Sequence, residues 1–309
     1  MKPVIAFIRK KPIASFFIIT FAITWRLGFS YGAVLNRDRI FLVPLMAIAT
    51  CGPSLAGIIV TRLCESKEKI GKKRGRPIAF ILALILSTAV FTANTTIVNG
   101  NELSVEMIAL IALLFVPPVA FIISAAYSRR IAVKRYVASL IKVRGVLVWS
   151  LLAAMFVPIL VLISTIVSSW LGKHPHDPST DTSVYITMIG AIVVRFLYQL
   201  FFFNVVGEEI GWSGFARSRL QRRFNPLVTG LIVALFWAPW HLFLWIAEGK
   251  PVANVQFWFD AYLYVIPLSI IIGWLYNRSK GSILVAGIAH AASNTALAFI
   301  PNVNIRIAS

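Results

Sequence analysis

Two adjacent glutamates, Glu208 and Glu209, lie in the stretch NVVGEEIGWSGFAR at residues 204–217, at the end of a long apolar run. The whole chain has only 11 acidic residues. An ionised carboxylate in hydrocarbon is costly, and such groups usually face a bundle interior and line a functional path. The last third holds three further places of this kind. They are His241 in LFWAPWHLFLW, His290 with Asn294 in GIAHAASNT, and Arg195 with Asp260. Residues His290 and Asn294 are four apart and share one face of a helix. At a helical rise of 1.5 Å per residue, Glu208 lies about 13 Å from Arg217 and His290 about 15 Å from Lys280. Those depths agree. His241, roughly 22 Å from Pro226, joins them if its helix tilts or the basic segment 217–223 lies low.

These residue types suit the hydrolysis of a peptide bond. A glutamate can take a proton from water, and a histidine can share that water or bind a metal. A neutral histidine and an amide can donate to the oxyanion formed on an attacked carbonyl. A second carboxyl group beside the first tunes its proton affinity in a low-dielectric site. Glu208, His241 and His290 can be drawn as zinc ligands, and a zinc-free site can be drawn equally well.

The elements that must hold these residues are membrane helices. The chain of 309 residues is 59% hydrophobic and 13% charged, against about 25% charged in soluble domains. Apolar runs long enough to span a bilayer occur near Ile13–Leu35, Ile40–Leu63, Ile78–Val98, Val105–Tyr127 and Val146–Leu171. Four more follow near Val184–Val206, Leu227–Trp245, Val255–Tyr276 and Ile283–Phe299. The sequence predicts an all-α, polytopic transmembrane helical bundle of eight to nine spans. It forms one continuous membrane domain, with N-terminal transmembrane helices over 1–183 and the polar constellation in 184–309. The first span is too long for a signal-peptide core of roughly 7–15 residues and is expected to be retained. Pro117 and Pro118 are expected to kink the fourth.

The formal charge of +19 does not point to nucleic acid, because lysine and arginine cluster in alternate loops between apolar runs. That is a topology signal placing the N-terminus in the cytoplasm. The expected location is a membrane, read as a bacterial cytoplasmic membrane, with the lipid bilayer as partner. Cys51 and Cys64 are too few for a disulfide framework. The HPHD at 174–177 reads as a solvated turn, Arg195 and Asp260 as a structural ion pair or separate snorkelling groups, and Asn94-Thr95-Thr96 as polar helix surface rather than a glycosylation site.

EEIGWSGF, FWAPWH and GSILVAGIAHAASN together resemble the three motifs of the CPBP family, the CAAX-processing and bacteriocin-processing intramembrane proteases. The likeness covers roughly residues 184–300. It implies that Glu208 is the water-activating base, that Glu209 orients it, and that His241 holds the water or a metal. His290 and Asn294 become the oxyanion-side donors. The implied substrate is a membrane-associated peptide or prenylated protein, with Zn2+ or no cofactor. The chain departs from the family's Glu-Glu-x-x-x-Arg at one place: Ser213 stands where the arginine is expected, and Arg217 lies one turn further on. The departure keeps a non-catalytic immunity or scaffold protein of the same family as an alternative. GWSG at 211–214 also matches a rhomboid-type serine protease motif, with Ser213 as nucleophile and His290 as base. That reading leaves the glutamates and His241 unexplained. A transporter ranks behind both, for want of repeat symmetry between the halves.

Overall fold

The computed structural model describes residues 2–32, 43–65, 68, 75–98, 103–138, 140, 145–170 and 182–299, and among these every regular element is helical. In chain order the helices are α1 (Lys2–Lys10), α2 (Pro12–Gly32), α3 (Val43–Thr50), α4 (Gly52–Cys64), α5 (Gly75–Val98) and α6 (Val105–Ser124). After them come α7 (Ile131–Ala138), α8 (Leu147–Trp170) and α9 (Thr182–Tyr198). Helix α9 runs on through two π-helical segments, Gln199–Glu209 and Trp212–Arg217, into the short α10 (Ser218–Leu220). The chain closes with α11 (Pro226–Trp240), α12 (Leu242–Ala247), α13 (Val255–Arg278) and α14 (Ile283–Phe299).

Six of the helical stretches are long and apolar enough to cross a bilayer, and α3 with α4 makes a seventh if that pair, bent by 67°, is one span. Two more apolar stretches, Leu147–Phe156 and Ile283–Ala298, are shorter. The described part of each of the nine predicted runs falls on helix, apart from short breaks such as that at Cys51, but only six or seven meet the length and composition of a span among the described residues. The lipid-facing character is plain in α5, where Ile78, Ile81, Leu82, Ile85 and Leu86 are all exposed. Such apolar exposure suits hydrocarbon and not water. Among the described residues, α6 carries Pro117 and Pro118 within one helix. The HPHD segment lies outside the described residues.

The π-helical segment is the axis of the bundle. One apolar core gathers Phe16, Trp212, Phe215, Val233, Trp237, Trp240 and Ile272 on one side of it. A second gathers Phe91, Phe115, Val119, Phe202, Val205 and Ile210 on the other. Single π turns inside α-helices are rare and concentrate at functional sites. Here two occur in succession, and the pair of glutamates closes the first of them.

Gly207 and Gly211 explain how the broken α3–α4 span nests against this axis. A Cβ on Gly207 would come within 2.9 Å of the Thr50 carbonyl oxygen, and one on Gly211 would strike Pro53. Small residues four apart let two membrane helices approach backbone to backbone. The α3–α4 break at Cys51 is held to the rest of the bundle by Thr24, whose Oγ1 donates to the Ala49 carbonyl at 2.8 Å and accepts from Trp240 Nε1 at 2.8 Å.

Gly211→Ala should lower stability by about 1–3 kcal/mol through overpacking against Pro53. Gly190→Ala, where a Cβ meets nothing within 4 Å, should be neutral or raise stability by about 0.4–1 kcal/mol. Thermal unfolding of the two variants in detergent checks the contrast.

Candidate active site

Glu208 and Glu209 are only 4% and 1% exposed, and their carboxylates lead to different partners. Glu208 Oε2 accepts from Trp237 Nε1 at 2.6 Å. No protein hydrogen bond to its Oε1 is found among the described residues. Glu209 is committed on both oxygens: Oε2 accepts from the Ser213 hydroxyl, and Oε1 lies 3.1 Å from His290 Nδ1. An interior carboxylate without such partners would be strongly destabilising.

The missing arginine is replaced from one turn away. Arg217 is fully buried, and its Nε donates to Ser213 Oγ at 3.4 Å. Its Nη2 donates to Ser269 Oγ at 3.2 Å, and Ser269 passes its own proton to the Gly230 carbonyl at 2.9 Å. Ser213 thus links the Glu209 carboxylate to the Arg217 guanidinium. Gly273 clears the space, because a Cβ there would strike the guanidinium. Arg217 counted as part of a basic loop at the membrane edge in the sequence; the structure places it in the interior.

His241 caps the C-terminal end of α11. Pro239 shapes that end: it has no N–H to give the Leu235 carbonyl, and Tyr262 Oη donates there instead at 3.2 Å. His241 Nδ1 faces the Trp237 carbonyl at 3.0 Å, and its ring stacks on Trp245 with centroids 5.3 Å apart. A proton on Nδ1 shared with that carbonyl leaves Nε2 as an acceptor. The Trp237 indole touches both histidines, edge-on to His290 at 4.8 Å and tilted to His241 at 6.0 Å. Asn294, one turn beyond His290, is half-buried and forms no side-chain hydrogen bond among the described residues. Next to it, Ser293 shares a 2.5 Å hydrogen bond with Tyr264 Oη of α13.

The structure therefore brings Glu208, Glu209 and His290 together with Trp237, and places His241 beside the same indole. Among the described residues no three side chains of His, Cys, Asp or Glu converge as a metal-binding group. Glu208, His241 and His290 do not fit the ligand sphere of a zinc ion in this arrangement, and no step below is routed through one. Arg195 and Asp260 do not pair. Arg195 lies 5.5 Å from the Tyr198 ring centroid, and Asp260 Oδ1 accepts from Gln256 Nε2 at 2.9 Å.

Asn204 escaped the sequence reading. It is fully buried one turn before Glu208, with neither amide atom hydrogen-bonded. An amide in the run FFFNVV was the available signal. Ser269 escaped it too, as one serine in the apolar middle of α13.

Residues 190–296 match the family model described as Type II CAAX prenyl endopeptidase Rce1-like. Over this segment the chain is similar to the CPBP family. Among characterised relatives, CAAX prenyl protease 2 of Methanococcus maripaludis is 30% identical over 92 residues, which cover 28% of this chain and 34% of that protein. The likeness thus spans about a third of that relative's length. The CPBP match covers every residue of the constellation, from Glu208 through Asn294, and the N-terminal helices α1–α8 lie outside it.

Arg217→Met should destabilise the protein by about 1–3 kcal/mol, because it strands Ser213, Ser269 and the Glu209 carboxylate without their cation. Glu65→Gln, at the half-exposed end of the 2.7 Å Arg219 pair, should change stability by less than about 1 kcal/mol. Denaturation of both variants in detergent decides between an interior and a surface role for the arginine.

Proposed function

We propose that the chain is a glutamate-dependent intramembrane endopeptidase of the CAAX prenyl protease type, acting on a membrane-associated peptide or prenylated protein. Its setting is a bacterial cytoplasmic membrane with the N-terminus in the cytoplasm, as the alternation of basic loops suggests. The observation that carries the reading is the asymmetry of the buried pair. Glu209 has both oxygens hydrogen-bonded, while among the described residues Glu208 is hydrogen-bonded at Oε2 alone.

In this reading Glu208 takes a proton from a water molecule while the water oxygen bonds to the scissile carbonyl carbon. Trp237 fixes the carboxylate by its Nε1–H, and His241 Nε2 accepts the water's second hydrogen. The carbonyl oxygen becomes an oxyanion facing the amide of Asn294 and the ring of His290, which Glu209 orients. Collapse of the tetrahedral intermediate breaks the C–N bond, and Glu208 returns its proton to the departing amine nitrogen. Atoms and charge balance without a further reactant. Ser213 enters as the bridge between Glu209 and Arg217. Its hydroxyl is engaged with both, and no observation favours it as a nucleophile.

Glu208→Gln should abolish cleavage, by about 10³-fold or more, given the 10²–10⁴-fold contribution of a positioned base and the loss of the water it activates. Ser213→Ala should reduce the rate more mildly and keep measurable turnover. The assay is cleavage of matched prenylated and unprenylated quenched-fluorescent peptides by purified protein in detergent. Full activity in Glu208→Gln, or complete loss in Ser213→Ala with the fold intact, would sink the glutamate reading. A wild-type protein inert on every peptide would favour the non-catalytic alternative.

A further inference from the structure

Away from the carboxylates, a cleft of about 640 Å³ opens where the C-terminal end of α4, the start of α5 and the end of α6 meet the turn before α7. Four arginines line it: Arg62, Arg76, Arg129 and Arg130. Their partners are meagre. Arg76 Nε reaches Ser124 Oγ at 3.4 Å, with its guanidinium 4.7 Å from the Phe121 ring centroid. Arg130 Nη1 reaches the Arg62 carbonyl at 3.4 Å. Arg129 Nε is buried and has no hydrogen-bond partner. Among the described residues none of the four forms an ion pair with a carboxylate. Glu65 is engaged by Arg219 at 2.7 Å, and the Glu68 carbonyl accepts from Ile131 N.

Four like charges converging on one cleft repel each other, and a buried guanidinium nitrogen without an acceptor is costly. An anion with several acceptor oxygens relieves both, and arginine forks suit phosphate in particular. The opposite wall is apolar and faces lipid: Ile81 and Phe121, 55% and 45% exposed, both line the cleft. All four arginines border the loops whose basic residues mark one membrane face, so the cleft sits at headgroup depth.

We infer that this cleft binds the phosphate of an anionic phospholipid, with the headgroup among Arg62, Arg76, Arg129 and Arg130 and an acyl chain along Ile81 and Phe121. Basic pockets between membrane helices recognise anionic headgroups in this way. The apolar wall separates a lipid from a free phosphate, which would use the arginines alone. The site is built from helices outside the segment matched to the protease family, so it stands or falls independently of the proteolytic reading.

The test is native mass spectrometry of the full chain in a neutral detergent, titrated separately with phosphatidylglycerol, phosphatidylcholine and glycerol 3-phosphate. Phosphatidylglycerol should bind about tenfold or more tightly than phosphatidylcholine, from the charge-assisted hydrogen bonds that only the anionic headgroup can draw without a compensating cation. Arg62→Gln and Arg129→Gln should each weaken it by about tenfold. Arg62 is exposed, so its variant keeps the fold even if Arg129→Gln does not. Arg219→Gln, among the basic residues of the same face, should leave binding unchanged. Equal retention of the two lipids, or undiminished phosphatidylglycerol binding in Arg62→Gln, overturns the proposal. Glycerol 3-phosphate binding as tightly as the lipid would assign the arginines to a soluble phosphate and overturn it as well.

Discussion

The constraint on which the rest of the structure depends is the burial of a charge set inside a hydrocarbon-facing bundle. Two carboxylates and a guanidinium lie almost wholly inside the protein: Ser213 joins Glu209 to Arg217, and Trp237 links Glu208 to His290, which faces Glu209. Removing such groups from water costs several kcal/mol each, and only good geometry recovers it. The neighbouring elements read as answers to that cost. Gly273 has no side chain, which gives the guanidinium room, and Ser269 relays its proton onward to a backbone carbonyl. Trp237 supplies the donor for Glu208, and α14 supplies the ring for Glu209.

The π-helical run makes this arrangement geometrically feasible. Glu209, Ser213 and Arg217 recur every four residues. An α-helix turns in 3.6 residues, so such a series drifts around its axis. A π turn closes over five residues and is wider. A helix that mixes the two keeps a spacing of four close to one line, and the three side chains meet in sequence. Asn204 and Glu208 follow the same interval on an adjacent line, and Gly207 and Gly211 on the face toward the broken span. One local departure from the α-helix thus aligns the charge set, the Glu208 carboxylate and the packing surface.

Much of the site was legible in the sequence because polar groups are conspicuous in apolar runs. The glutamate pair, both histidines and Asn294 declared themselves by type and by order along the chain. The helices were legible for the same reason, since unbroken apolar runs in lipid have no other way to satisfy their backbone. The span count was less so, because hydropathy cannot distinguish a straight span from the bent α3–α4 pair or a short helix such as α14 from a full crossing. Arg217 looked like a loop residue because arginines 219, 222 and 223 follow it closely. Its burial depends on Gly273 and Ser269, more than fifty residues away, and on a π geometry that no periodicity rule reports. The tentative zinc set rested on residue chemistry alone; among the described residues Glu208, His241 and His290 do not converge as a metal-binding group, and each meets Trp237 instead.

What the interior leaves unsatisfied is as informative as what it pairs. Glu209, Ser213 and Arg217 form a hydrogen-bonded chain in which both Glu209 oxygens, the Ser213 hydroxyl and Arg217 Nε and Nη2 are paired, while Arg217 Nη1 is buried without a partner among the described residues. Both amide atoms of Asn204, one turn before Glu208, are buried with no hydrogen-bond partner among the described residues. A core shaped for stability alone would place leucine or alanine at these positions, with no desolvation cost to offset. Local violations of folding rules concentrate where function requires them. In the proposed mechanism Glu209 then holds the frame, and the reactive group is the carboxylate one residue earlier, which that frame presents.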